Sequence, residues 1–208
     1  VRRLRAGSGR PEELAAAMEQ VAQQARRAGQ IIARVRGFVR PSTPMARRID
    51  VNRAVRDVAE LVAVDAHDHG IALRLDLAEP LPRVAADLVE IEQVVFNLAR
   101  NAIDALSHAP AQGREIVLAT RGKGTDAVLV SVSDNGPGVA PQTRERLFES
   151  FFTTKPDGLG LGLAICQSIV GAYGGSIQMT PRAGGGAVFS FTLPVAQAAG
   201  ASPQAQTA

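Results

Sequence analysis

Residues 157–164 read Asp-Gly-Leu-Gly-Leu-Gly-Leu-Ala, DGLGLGLA, the smallest residue alternating three times with a large apolar one. Period-two alternation suggests a strand, yet glycine inside a strand costs backbone entropy and packs nothing. A loop whose backbone must approach something closely gains from it, and a phosphate chain is the obvious candidate. The stretch runs into LGLAICQSIVGAY, an apolar helical pattern that ends at Gly174. Backbone N–H groups at a helix start are unpaired and the dipole favours negative charge, so Gly158, Gly160 and Gly162 suit an anion. Alone the motif is weak: no strand of a βαβ unit precedes it, and GxxxxGK[ST] is absent.

Three further segments bear on the same question. In QVVFNLARNAIDAL, residues 93–106, Asn97, Asn101 and Asp104 stand at i, i+4 and i+7 on one helix face, with Val94, Val95, Leu98 and Ala102 on the other. Asparagine is a poor interior helix residue. The strip is either solvated surface or a set of hard oxygens suited to a hydrated Mg²⁺. In SVSDNGPGVA, residues 131–140, a predicted strand ends in Asp134-Asn135-Gly136-Pro137-Gly138. That is either an ordinary turn or a carboxylate facing a cavity over bare backbone, able to accept from an exocyclic amine such as adenine's. In LFESFFTTKP, residues 147–156, Phe148, Phe151 and Phe152 are three of the chain's seven phenylalanines. They pin a loop as a satellite core or belong to a functional segment; Thr153, Thr154 and Lys155 then offer two hydroxyls and an ammonium to an anion.

Around these segments the pattern is a two-layer α/β sandwich of the α+β class, preceded by a long heptad-patterned helix. Residues 1–10 read as loop or disorder. Over 11–40, Leu14, Met18, Val21, Ala25, Ala28, Ile32, Val35 and Val39 form a seam of period 3.5 that needs a partner helix, hence a homodimer through this helix. Pro11 suits its first turn and Pro41 ends it. Residues 41–49 read as a linker. From 50 to 194, Asp50 caps a helix to about His69, closed by Gly70, and IALRLDL is a strand with Ile71, Leu73, Leu75 and Leu77 on one face. Asp87 caps a helix through Leu106, and strands at about 114–121 and 126–133 flank the turn GKGT. A short helix follows Pro141, a last helix runs to Tyr173, and strands at about 176–180 and 187–193 close the fold. Residues 195–208 read as a disordered Ala/Gln/Pro tail.

Composition narrows the class. The chain has 208 residues and a net charge of +3, with 13 Lys/Arg against 4 Asp/Glu in residues 1–56 and 10 against 16 thereafter. No aromatic residues interleave with the basic arm as stacking platforms would, so its arginines read as a solvated helix face rather than a nucleic-acid site. No apolar run reaches the length of a membrane span, and the basic start is not followed by an apolar segment, so neither membrane contact nor a signal peptide is expected. The one cysteine, Cys166, lies in an apolar helical pattern, which predicts a small buried hydrophobe and a cytoplasmic setting.

Taken in order, N-x-x-x-N-A, D-x-G-x-G, F-E-x-F-F-T-T-K and G-L-G-L-G-L resemble the catalytic ATP-binding domain of sensor histidine kinases. That group lies in the superfamily shared with DNA gyrase, mismatch-repair ATPases and a heat-shock chaperone. GGGAVFSFTLP at 184–194 matches the family's last strand, and FFTTKP before GLGLGLAI is most similar to the nitrogen- and oxygen-sensing kinases. The resemblance implies ATP and Mg²⁺ as ligands, with Asn101 on the metal and Asn97 and Asp104 beside it. Asp134 would read the adenine amine, and Gly136 and Gly138 would shape the base pocket. Residues 149–160 would be a mobile lid. Thr153, Thr154, Lys155 and the segment Gly158, Leu159, Gly160, Leu161, Gly162 and Leu163 would hold the phosphates, the leucines anchoring the lid's end to the core. A response regulator receiver domain would be the partner.

Hydrolysing members of the superfamily carry a water-activating glutamate four residues before the metal-binding asparagine. Asn97 stands there and cannot act as a base, which favours a kinase over an ATPase. The family's phosphate acceptor is a histidine on the first helix of a dimerising hairpin, and residues 11–40 resemble the second. His67 and His69 read as solvated helix-end residues and, at i and i+2, share no helix face for a metal; His108 follows the next helix. Self-phosphorylation of this chain is therefore not expected. A nucleotide-binding dimerising scaffold and an ATPase of the same superfamily are the competing functions.

Overall fold

Strict in-and-out alternation makes the central sheet one-sided. Ile116, Leu118 and Thr120 of one strand are buried, as are Val128, Val130, Val132 and Asp134 of the next and Ala187, Phe189, Phe191 and Leu193 of the last, while the residues between them, Ser190 apart, are not. A computed structural model describes residues 46–107, 109–110, 113–155 and 158–196. The heptad helix expected over 11–40, residues 1–10 and 41–45, His108, Pro156, Asp157 and the tail from 197 lie outside the described residues. The chain divides into two units, Val1–Pro41 and Ser42–Ala208, and the described residues belong to the second.

The strands are β1 (Arg47–Ile49), β2 (Ala72–Leu77), β3 (Val84–Ala86), β4 (Glu115–Lys123), β5 (Ala127–Asp134), β6 (Ser176–Pro181) and β7 (Ala187–Pro194). The helices are α1 (Val51–Asp68), α2 (Leu88–Ser107), α3 (Pro141–Arg144) and α4 (Gly162–Ala172). Five strands form one sheet in the order β2-β4-β5-β7-β6, with β2 parallel to β4 and the other pairs antiparallel. α1, α2 and α4 cover its buried face, giving the two layers expected.

Helix starts follow their caps. Asp50 accepts from Asn52 N at 2.9 Å, and Asp87 Oδ1 accepts from Val89 N at 2.9 Å, each satisfying an orphan donor of the first turn. Gly70, at φ 64°, ends α1 where a side chain would be strained. The core runs through Val55, Val58 and Val62 of α1, Val94, Leu98 and Ile103 of α2, Ile165 and Val170 of α4, and the inward strand residues. Phe191 is fully buried, and truncating such a side chain to alanine costs about 3–5 kcal/mol. One polar knot is built into this core. Thr120 Oγ1 donates to Asn52 Oδ1 at 2.7 Å and accepts from Ala78 N at 3.1 Å, while Asn52 Nδ2 donates to Ala78 O at 2.9 Å. With its main donors and acceptors paired, it ties α1 to β4 without an unsatisfied-group penalty.

The sequence expectations need four corrections. Arg47–Ile49, read as linker, is a strand that pairs antiparallel with β3, itself unforeseen. Val195, read as the start of the tail, bridges Val84, and Ala196 N donates to Arg83 O at 2.8 Å. Gly122 and Lys123, read as turn, continue β4 opposite Val128 and Ala127, so the turn is Gly124-Thr125-Asp126. Leu75 is 46% exposed, whereas Leu73 and Leu77 pack against the core, so the inward face of the edge strand β2 is covered unevenly.

Candidate nucleotide site

β5 alternates inward residues up to its last position, and that position holds Asp134. The carboxylate is thereby carried into the helix-covered side of the sheet and is 3% exposed. Oδ1 accepts from Gly136 N at 2.9 Å. Burial raises the Asp134 pKa above the ordinary aspartate range, opposed by the backbone N–H groups of Gly136 and Ala187 and by the charge of Arg182. Bare backbone surrounds it. A Cβ on Gly186, at φ 103°, would stand 2.0 Å from Asp134 O, and one on Gly138 would stand 2.9 Å from Gly186 O. The turn is stapled by Asn135, whose Oδ1 accepts from Glu115 N at 2.8 Å.

The exposed face of α2 carries Asn97, Asn101 and Asp104, all half-buried, opposite the buried Val94, Val95, Leu98 and Ala102. Asn97 Nδ2 is buried with no hydrogen-bond partner among the described residues. It has a polar contact with the Cys166 sulfur, which is only a weak acceptor. A buried donor left in this state is expensive and suits an incoming oxygen. Burial pushes the Cys166 thiol up to about 12, so it behaves as the inert hydrophobe expected.

Lys155 reaches this face from 51 residues away. Its Nζ donates to Asp104 Oδ2 at 2.7 Å and to Asn101 Oδ1 at 3.2 Å. Arg100 Nη2 lies 3.5 Å from Asp104 Oδ1. Asn101 and Asp104 thus already gather a cation with hard oxygens, the donor chemistry that Mg²⁺ prefers. Among the described residues no group of three or more His, Cys, Asp or Glu could hold a metal, and His67 and His69 are exposed as expected.

The lid glycines divide in a way the sequence did not reveal. Phe151 N donates to Gly160 O at 2.9 Å, and a Cβ on Gly160, at φ 66°, would stand 2.4 Å from the Phe151 carbonyl carbon. A Cβ on Gly158 would stand 2.5 Å from Thr153 Oγ1, which itself accepts from Lys155 N at 3.1 Å. These two glycines let the loop close on itself. Only around Gly162, the first residue of α4, does an added Cβ meet nothing within 4 Å. Leu161 and Leu163 pack against the core, but Leu159 is 49% exposed and anchors nothing, which corrects its expected role. Thr154 is exposed. The phenylalanines are not one cluster: Phe151, at φ 68°, is 75% exposed, while the Arg146 guanidinium lies 4.4 Å from the centroid of the Phe152 ring.

One residue near Asp134 carries no sequence signal. Arg182 Nη2 donates to Glu115 Oε2 at 3.2 Å, and its charge acts on Asp134. Only the folding of the β6–β7 hairpin over the end of β5 brings it there. A cleft of about 500 Å³ opens elsewhere, lined by Arg47, Arg48, Arg53 and Arg83 beside the caps Asp50 and Asp87. None of the predicted nucleotide residues lines it.

A one-sided mixed sheet carrying a buried strand-end carboxylate, a polar helix strip and a glycine-bounded loop defines a nucleotide-binding sandwich. Residues 86–197, more than half of the chain, match the histidine kinase-, DNA gyrase B- and HSP90-like ATPases, and the chain belongs to that family of ATP-binding domains. It is 40% identical over 197 residues to the sensor protein FixL of Bradyrhizobium diazoefficiens, covering 94% of this chain and 39% of that protein. Full-length ShkA in complex with AMPPNP superposes with a TM-score of 0.73 at 32% identity, over 91% of this chain and 39% of that one. Histidine kinase ThkA in complex with the response regulator TrrA gives 0.70 at 27% identity, over 93% and 55%. The chain therefore spans well under half the length of FixL. No described helix is long and apolar enough to cross a membrane.

Proposed function

We propose that this chain is the ATP-binding catalytic part of a two-component sensor histidine kinase, which delivers the ATP γ-phosphate to a histidine for relay to a response regulator receiver domain. The observation that carries the reading is the pair of oxygens on α2, Asn101 Oδ1 and Asp104 Oδ2, already converging on a cation supplied by the lid. The AMPPNP bound to ShkA and the response regulator bound to ThkA support ATP and a receiver domain as the ligand and the partner.

In this reading Asp134 accepts from the adenine amine over the glycine floor made by Gly136, Gly138 and Gly186. Such a charge-assisted bond contributes about 1.5–3 kcal/mol and rejects a base without that donor. Asn101 and Asp104 hold Mg²⁺, which neutralises phosphate charge when bound. The unpartnered Asn97 Nδ2 donates to the same group of oxygens. Gly162, where no neighbouring atom crowds the backbone, offers the N-terminal amides of α4 to the phosphates, with Lys155, Thr153 and Thr154 closing from the lid. No carboxylate stands at position 97, so no base activates water and bound ATP persists for transfer. The heptad helix over 11–40 makes the homodimer, the setting is cytoplasmic, and the acceptor histidine comes from outside the catalytic unit.

Calorimetric titration of ATP with and without Mg²⁺, followed by phosphate release from the same sample, tests this. Magnesium-dependent binding with negligible release is the expected result. Steady release would replace the kinase with an ATPase, and no binding would leave a scaffold.

A further inference from the structure

Lys155 faces two claims on one ammonium. The proposed function gives it to the phosphates, while the geometry gives it to Asp104 and Asn101. We propose that Lys155 is an internal cation occupying the metal position on α2, and that a phosphate chain opens that position to Mg²⁺ by drawing the lysine away. Lys155 is then a specificity-determining residue, since the metal gains its oxygens only when an anion long enough to hold the lysine arrives with it. The inference rests on reading Asn101 and Asp104 as the metal site.

The contact is built rather than accidental. Lys155 N donates to Thr153 Oγ1 at 3.1 Å and Gly158 N donates to Lys155 O at 3.1 Å, so the backbone on both sides of the side chain's root is fixed. The Phe151–Gly160 hydrogen bond pins the two ends of the loop that carries it. Two of its glycines are committed to these close approaches, which any larger residue would prevent. On α2 the exchange has little cost. Arg100 Nη2 lies 3.5 Å from Asp104 Oδ1, the oxygen that Lys155 does not use, so the carboxylate keeps a cationic neighbour when the lysine leaves. Lys155 and Asp104 side chains are 43% and 37% exposed, so water and salt screen the pair. A triphosphate with several negative charges outcompetes such a pair, whereas a bare divalent ion must expel it without offering the ammonium another partner.

The test uses the whole chain and needs no nucleotide for its first readout. Hydrogen exchange is followed at amides 151–155 and 158–161 in the unchanged protein, Lys155→Met and Asp104→Asn. Both substitutions should speed lid exchange by about two- to fivefold, the scale of a half-exposed ion pair, with β4, β5 and β7 unaffected. Mg²⁺ titrated alone should then bind Lys155→Met about two- to fivefold more tightly than the unchanged chain. Lid exchange equal in all three proteins overturns the tether. Equal Mg²⁺ binding, or none in either protein, overturns the metal-position claim. If instead ATP fails to bind the unchanged chain while the exchange difference persists, the functional reading falls and the tether stands.

Discussion

Two glycine clusters flank the candidate site, and they work differently. Around Asp134, Gly138 and Gly186 bring the turn after β5 and the β6–β7 hairpin into contact, backbone against backbone, while Gly136 sits against the Asp134 carboxylate and the Leu106 side chain of α2. In the lid, Gly158 and Gly160 bring one loop into contact with itself, and only Gly162 leaves its backbone open. The first cluster is framework: its glycines are fixed by core strands that must meet whether or not a ligand is bound. The second is local, so its closure depends on a few hydrogen bonds among half-exposed residues. One residue type, at similar spacing, thus makes a rigid junction between strands in one place and a separable loop in the other; in the proposed function these are the wall for the base and the cover for the phosphates.

Gly186→Ala should break the contrast most severely. A Cβ 2.0 Å from Asp134 O at φ 103° cannot be accommodated without moving β5 or β7, and a loss of about 3 kcal/mol or more is expected in urea unfolding. Gly160→Ala carries a comparable clash, 2.4 Å from Phe151. It should speed lid exchange while leaving the unfolding midpoint of the sheet nearly unchanged. Equal global losses for the two would dissolve the distinction.

Asp134→Asn should weaken adenine nucleotides by about 10- to 100-fold, with much less effect on bare triphosphate. The wild-type affinity should also fall with acidification. Burial raises the Asp134 pKa, so the carboxylate that accepts from the amine protonates at a higher pH than an ordinary aspartate. For folding the sign is opposite: the raised pKa favours the protonated native state, and its stabilisation fades as pH rises through that value. The asparagine variant should lack both dependences, which affinity and unfolding measured across mildly acidic pH will reveal.

Gly162→Ala sharpens the comparison from the other side. No neighbour lies within 4 Å of its added Cβ. Stability should therefore hold to within about 0.5 kcal/mol, while ATP affinity falls about tenfold as the methyl crowds the helix-terminal amides. The smallest effect belongs to Leu159→Ser. That residue is 49% exposed, and less than about 0.5 kcal/mol in stability should separate the variant from the unchanged chain.

The sequence carried the elements with strong periods and caps. Asp50 and Asp87 announced α1 and α2, Gly70 closed α1, and alternation marked β4, β5 and β7 and placed Asp134 at a strand end. β1 and β3 were illegible because three residues, RRI and VAA, are too few to show a period, and their pairing is set by the rest of the fold. Val195 and Ala196 dock on β3 for the same reason. Around the candidate site, the pattern marked four segments but neither the β6–β7 hairpin, which brings Gly186 and Arg182 to Asp134, nor the use of each residue. A glycine's bare Cα serves a ligand or its own loop equally well, and only coordinates separate Gly162 from Gly158 and Gly160. Arg182 and the Lys155 contact with α2 arise from tertiary approach, which leaves no trace in local sequence.

β3 has a consequence for how this unit joins other proteins. The strand that leads into α1 pairs with one of its edges, and Val195, just past the last strand, bridges the other. With neighbouring strands about 4.8 Å apart, the way in and the way out of the fold are separated by only about 10 Å. A unit with such a doorway can be spliced between unrelated neighbours, or circularly permuted with a short connector, without threading its core. A pull on both leads loads β3, next to the Asp87 cap, and through the hydrogen bond from Val195 N to Asp126 O it also reaches the end of the β5–β7 ladder.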